Sequence, residues 1–265
     1  MKSSASDELF IEAGRYGISL LVLDRESNIF KTLIVYHFPP DKDGGGLGAS
    51  IGEILAGQSL LKREFKNTTI IWSFDESILV PHEFMIEGTE KGMLDVVFGD
   101  LHTMKPNTDL LSRYGLHNIY RVPEEMFTPL TSLFVLSRQV HQFTLLPEIV
   151  VKADILFGIV YPNQMVIALK KAGKLQLVKN ISYRTPEDAA FYLLSACVSF
   201  EMDIQKVTLV LSGMIDVGSN LYKEIYKYFL VTEFADLPDG YTFSEEFKDH
   251  PAHYFSHLFA QAACV

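Results

Sequence analysis

Two stretches of this chain repeat one order of elements at a near-constant spacing, and that order limits the folds open to it more than any single motif does. In the first, "YGISLLVLD" (16–24) and "IFKTLIVYHF" (29–38) are β-branched, aromatic-rich runs separated by "RESN", which reads as a hairpin after a polar arm. A glycine-rich loop, a helix and the buried-strand candidate "NTTIIWSF" (67–74) follow. In the second, "ADILFGIVY" (153–161), "MVIALK" and "KLQLVKNISY" are joined by turns at "PNQ" and Ala172-Gly173. Thr185-Pro186-Glu187-Asp188 then starts a helix through Phe200, "KVTLVLSG" (206–213) is the next buried strand, and a helix from Asn220 to Phe229 follows. Matching Ile18 with Ile155, Ser50 with Thr185 and Thr69 with Val207 gives offsets of 135 to 138 residues, the mark of a structural duplication with negligible residue identity.

Between the halves the texture changes. "SILVP" (77–81) is a strand ended by Pro81, and residues 82–150 read as a small α/β insert with a helix near 82–98, the run "HNIYRVP", a helix from Pro123 to Leu136 and the run "VHQFTLLP". Pro123 followed by Glu124 and Glu125 suits a helix start, because proline there loses no needed donor and the acids face the positive end of the helix dipole. The expected layout is a first half at 1–81, the insert at 82–150, a second half at 151–234 and a C-terminal segment at 235–265.

The glycine-rich stretch "HFPPDKDGGGLGASIGEIL" (37–55) spells a possible phosphate cradle at Gly46-x-Gly48-x-x-x-Gly52. Three features argue against it. Pro39 to Asp43 separate the glycines from the strand, Asp41 and Asp43 would repel phosphate, and the element order is ββα rather than βαβ. Ser50-x-x-Glu53 has the form of a capping box, which puts the helix start at Ser50–Ile51, beyond most of the glycines, and makes the stretch a surface loop.

Charge narrows the partners. The net charge of −10 opposes phosphate backbones and anionic lipid, so no nucleic acid is expected. Asp7, Glu8 and Glu12 interrupt any leader-like pattern near the start, no apolar stretch has membrane-spanning length, and the two cysteines, Cys197 and Cys264, offer no disulfide framework. A cytoplasmic protein without a membrane span is the expectation.

A hairpin, a capped helix and a buried strand, made twice, is the order of a duplicated ribonuclease H-like fold, and it resembles the actin-like ATPase superfamily. The likeness covers about 16–234, and the insert sits where cell-division and pilus-assembly members carry an extra subdomain. More narrowly, "ILVPHEF", "HNIYRVPEEMF", "VHQFTLLP" and "HPAHYFSHLF" resemble a bacterial family catalogued as domain of unknown function 3822, whose members have this fold. The resemblance implies an α/β protein of two lobes, each a mixed sheet flanked by helices.

It also implies where a nucleotide would sit: an Asp-x-Gly turn after the first strand of each half, and a glycine pair near the adenosine. In the first turn, "LDRESN", Asp24 fits the aspartate and Ser27 offers a hydroxyl, but Glu26 replaces the glycine. The second, "VYPNQM", has Pro162 and Asn163, and proline removes an amide donor. "LVLSGMID" keeps Gly213 but follows it with Met214. Asp24, Ser27 and Gly213 are therefore the cofactor-binding residues only if a nucleotide binds; the expectation is no cofactor and no catalysis.

Two metal readings compete with bland ones. Asp24, Glu53 and Asp75 fall on the elements that carry metal carboxylates in ribonuclease H-like nucleases, yet Glu53 is accounted for by the capping box and Asp75 lies past the strand end. In "DHPAHYFSHLF", His250, His253 and His257 are spaced for one helical face, with Cys264 seven residues on, but Tyr254, Phe255, Leu258 and Phe259 interleave them as in an amphipathic segment docked by aromatics. That segment either returns to the first lobe or stays open as a docking patch. His37, His82, His102, His117 and His141 are scattered and read as solvated or core-satisfied. The reading is a scaffold with a protein partner; the alternatives are an ATP-binding protein with altered turns and, more remotely, a metal-dependent nuclease.

Overall fold

The computed structural model describes residues 6–38, 46–244, 247 and 251–265, and its contacts divide the chain into two units. The first comprises Met1–Thr144 with Tyr241–Phe247; the second comprises Leu145–Gly240 with Lys248–Val265.

The first unit opens with a strand where a polar arm is expected. β1 (Asp7–Gly14) is buried along its whole length and pairs antiparallel with β2 (Gly17–Asp24), which pairs antiparallel with β3 (Ile29–His37). The hairpin read at 16–38 is thus β2–β3. Its predecessor was hidden because Asp7, Glu8 and Glu12 break the apolar pattern of "DELFIEAG". Those acids are buried with partners: Asp7 takes Lys31 and Arg63, Glu8 takes Arg25 and Asn67, and Glu12 takes Gln142. Paired this way, they sit in a central strand without leaving uncompensated charge.

The helix that follows, α1 (Gly46–Gly57), begins within the glycines and not at Ser50, so the expected capping box does not form its start. The carboxylate of Glu125 accepts the Gly48 amide at 3.1 Å, and a Cβ on Gly48 would lie 3.2 Å from the Glu125 Cβ. Glycine is used there for close approach to a neighbouring helix, which offsets its poor helix propensity. Of the proposed loop, residues 39–45 lie outside the described residues.

β4 (Asn67–Ser73) pairs parallel with β1, and then the chain leaves the main sheet. β5 (Ser77–Pro81), α2 (Glu90–Phe98), β6 (Met104–Leu111) and β7 (Leu116–Pro123) form a three-stranded antiparallel sheet in the order β5-β7-β6, with α2 against it. α3 (Glu124–Leu133), entered from Pro123, returns Met126 and Leu130 to the core around Trp72, and β8 (Arg138–His141) pairs parallel with β4. Strand pairing therefore puts the excursion at 77–123. "VHQFTLLP" is divided between β8 and α4 (Gln142–Ile149), the helix that carries the chain into the second unit.

The second unit repeats the pattern. β9 (Ile155–Tyr161), β10 (Gln164–Lys171) and β11 (Lys174–Ser182) form an antiparallel meander, α5 (Pro186–Ser199) follows, and β12 (Thr208–Gly213) pairs parallel with β9. α6 (Asn220–Tyr226) leads to β13 (Thr232–Phe234), parallel to β12. The Thr185–Asp188 capping box is present: the Thr185 hydroxyl accepts the Asp188 amide, and the Asp188 carboxylate accepts the Thr185 amide at 3.0 Å. Burial of the acid is slight, and amides of Arg184 and Thr185 hold its carboxyl below the usual range.

The duplication is visible in the strand orders, β3-β2-β1-β4-β8 and β11-β10-β9-β12-β13. Its pairing is one strand away from the sequence reading: β9 matches β1, so Ile155 does not match Ile18, which lies in β2. The tail is shared. β14 (Thr242–Phe243) adds parallel to β3, where Tyr241 stacks on Phe30, while α7 (Ser256–Cys264) buries Leu258 and Phe259 in the second unit. The C-terminal aromatic segment is not an open patch: within the second unit Ser256 and His257 bond Ser212, and Leu258 and Phe259 are buried.

Candidate functional site

Because β1 is the first strand, the turn that the resemblance makes relevant in the first half is Arg15–Tyr16, closed by the Gly14–Gly17 pair. Both glycines are imposed by packing: a Cβ would lie 2.3 Å from the Ser73 hydroxyl oxygen at Gly14 and 2.1 Å from the Tyr36 carbonyl oxygen at Gly17. Arg15 reaches Asp75 at 3.6 Å, and burial, with Asp75 nearby, pushes the Tyr16 phenol up. Glu12-Ala13-Gly14 now has the acid-x-glycine form sought at Asp24. The signal was in the sequence, but it required recognising "DELFIEAG" as a strand.

Asp24 and Ser27 lie at the opposite end of the first sheet, in the β2–β3 turn, where Asp24 pairs with Asp7 in the strand register. The Asp24 carboxylate accepts Lys31 at 2.7 Å, the Ser6 hydroxyl at 2.9 Å and the amides of Glu26 and Ser27 at 3.1 and 3.4 Å. Lys31 holds its carboxyl well below the usual range. Lys31 also meets Asp7 at 2.7 Å, Arg63 meets Asp7 at 3.0 Å, and Arg25 meets Glu8 at 2.7 Å. This is a charge-balanced cluster in which Asp24 already has a cation.

Gly213 belongs to the other unit. In that unit the first-strand turn is Pro162–Asn163 between Tyr161 and Gln164. Asn163 takes the left-handed region at φ 59°, and the Tyr183 hydroxyl donates to the Tyr161 carbonyl at 3.0 Å. β12 ends beside it. Gly213 sits at φ 90°, a Cβ there would lie 2.2 Å from the Val160 carbonyl oxygen, and the Met214 amide donates to that oxygen at 2.8 Å. The Met214 side chain is 49% exposed.

The histidines of the tail are tied to this strand end. The Ser212 hydroxyl contacts His257 Nδ1 at 3.0 Å and the Ser256 hydroxyl at 2.8 Å, and it accepts the His257 amide at 3.1 Å. His253 Nε2 donates to the Ile215 carbonyl at 2.6 Å, and its ring stacks on Phe234 with centroids 4.0 Å apart. His250 lies outside the described residues. Among the described residues no group of three or more His, Cys, Asp or Glu side chains is arranged to hold a metal ion, so Asp24, Glu53 and Asp75 do not gather as a nuclease site would require. Cys197 is buried, with its thiol pushed up to about 11, and Cys264 is exposed.

The sequence matches the family described as "Protein of unknown function (DUF3822)" over residues 1–230. No curated protein matches it. Among solved structures, a protein of actin-like ATPase fold and unknown function from Bacteroides thetaiotaomicron is similar with a TM-score of 0.81 at 17% identity, covering 99% of this chain and 97% of that one. The PilM–PilN type IV pilus biogenesis complex gives 0.59 at 12% identity, covering 99% of both chains. The ethanolamine utilization protein EutJ from Carboxydothermus hydrogenoformans gives 0.56 at 10% identity, covering 99% and 91%. Likenesses at these identities show the fold, and the chain has the actin-like ATPase fold.

Proposed function

We propose, from the premise that this chain belongs to the family described as Protein of unknown function (DUF3822), that it is a non-catalytic member of the actin-like fold that works through its surfaces as a binding or assembly component. The observation that carries the reading is the second-half turn. Tyr161 and Pro162 stand where backbone amides would meet phosphate, proline has no amide to give, and the Tyr161 carbonyl is already engaged by Tyr183. Gly14 of Glu12-Ala13-Gly14 and Gly213, the remaining nucleotide-like features, are required by their contacts with Ser73 and Val160 whether or not a nucleotide is near. The PilM–PilN complex supports the choice of a protein partner, since there a protein of similar fold is found with another protein. Among the described residues no helix is long and apolar enough to cross a membrane, and a cytoplasmic setting is part of the proposal.

Calorimetric titration with ATP and magnesium, repeated with ADP and with Asp24→Ala, tests it. The expected result is no heat at millimolar nucleotide. Micromolar binding would overturn the reading in favour of an ATP-binding protein, and Asp24→Ala reports where: binding kept in that variant fits the Gly14–Gly17 turn, and binding lost fits the β2–β3 turn that holds Asp24 and Ser27.

A further inference from the structure

The "ILVPHEF" motif does something the core does not explain. β5 runs into a one-turn helix, His82–Phe84, in which Phe84 is 63% exposed, and Ile86 just beyond it is 65% exposed. Backbone bonds fix that presentation. The Met85 amide donates to the His82 carbonyl at 3.2 Å, and the Thr89 amide and hydroxyl donate to the Ile86 carbonyl at 3.1 and 2.6 Å. Met85, between the two, is half-buried.

The exposed pair continues into the insert sheet. His82 stacks on His117 with ring nitrogens 2.8 Å apart, and His117 is the cross-strand neighbour of Leu110, which is 56% exposed. Leu110 and His117 are joined by register and His117 and His82 by stacking, and Phe84 follows His82 within the same short turn, with Ile86 just beyond it. Large apolar groups linked in this way on a protein surface mark an interaction site more often than isolated ones do.

Its border is anionic. Glu83, Glu87 and Glu90 form no ion pair among the described residues, whereas nearby Asp95 and Asp100 share Lys91, and Glu76 takes the buried Arg121. Apolar groups edged by uncompensated carboxylates select a partner that is apolar and cationic. The same carboxylates repel anionic lipid and nucleic acid, and they oppose a second copy of a chain whose net charge is −10.

We infer that this surface is the docking site for a basic, apolar segment of a partner protein, with leucine or aromatic side chains against Phe84 and Ile86 and lysine or arginine beside the three glutamates. The inference rests on the surface-acting reading above.

Fluorescence anisotropy with three labelled helical peptides tests it: one of leucine and arginine, one of leucine and glutamate, one of serine and arginine. Only the leucine–arginine peptide should bind, more weakly as salt rises from roughly 50 to 300 mM. Phe84→Ser with Ile86→Ser should weaken it about tenfold, and the triple change Glu83→Gln, Glu87→Gln, Glu90→Gln about fivefold. Phe191→Ser with Val198→Ser, on the exposed face of α5, should leave it unchanged. Binding of the glutamate peptide, indifference to the insert variants, or no binding at millimolar peptide would overturn the inference. So would sedimentation with anionic vesicles, or a dimer abolished by Phe84→Ser. A failure here leaves the ATP result as it was, and nucleotide binding would sink the proposed function without moving the peptide data.

Discussion

At Gly213 the Val160 carbonyl oxygen stands 2.2 Å from where a Cβ would be built, on a backbone already at φ 90°. Gly213→Ala is therefore expected to cost more than about 1 kcal/mol even if no nucleotide ever binds, measured by urea unfolding. That makes the residue a poor witness for ATP. Elsewhere burial controls a titration. His141 is fully enclosed, its Nε2 donates to the Phe74 carbonyl at 3.0 Å, its Nδ1 accepts the Phe143 amide at 3.1 Å, and desolvation brings its pKa down to about 3. The unfolded chain binds a proton near pH 6.5 that the folded one refuses, so this group's contribution is complete above that pH. It should be lost as pH falls towards 3, by up to about 1.4 kcal/mol per pH unit. Asp109, raised by burial, works in the opposite sense, losing stability as pH rises from the ordinary aspartate range through its own raised value. Urea midpoints at pH 7 and 4.5 should show the loss in the native sequence and a smaller one in His141→Gln.

Among the elements, the insert depends on one buried cation. Arg121 on β7 donates to the Gly99 carbonyl at the end of α2, bonds Asp95 at 3.1 Å, pairs with Glu76 and lies over the Phe98 ring. Arg121→Ala would leave Glu76 without its cation and Asp95 with Lys91 alone, and a loss of about 3 kcal/mol is expected, read as faster hydrogen exchange in α2 and β7 than in β9 to β12. The α5 cap is a smaller lever: Thr185→Ala should cost about 1 kcal/mol in the same assay. Helix α5 was legible because its Thr-Pro-Glu-Asp start is a local signal. Helix α1 was misplaced because its start is set by Glu125, 77 residues away, which no window around Ser50 contains.

On the scale of the whole molecule, the tail serves both units: β14 pairs with β3, and α7 meets β12 through Ser256 and His257. A chain ending at Gly240 should lose stability in both, with exchange protection falling at Phe30 and at Ser212 alike; protection unchanged at either would refute a shared role. By itself, the sequence determined the duplicated fold, since period-two apolar runs, turn residues and a local cap suffice to order a meander, a helix and a parallel strand twice. It also carried the altered turns, because Tyr161, Pro162 and Met214 are plain in the letters. Only the tertiary structure decided that "DELFIEAG" is the first strand, which moved the relevant turn from Asp24 to Gly14–Gly17. The reason is physical: three acids read as solvent-facing until Lys31, Arg25, Arg63 and Gln142, brought in from distant positions, neutralise them or bond them inside the sheet.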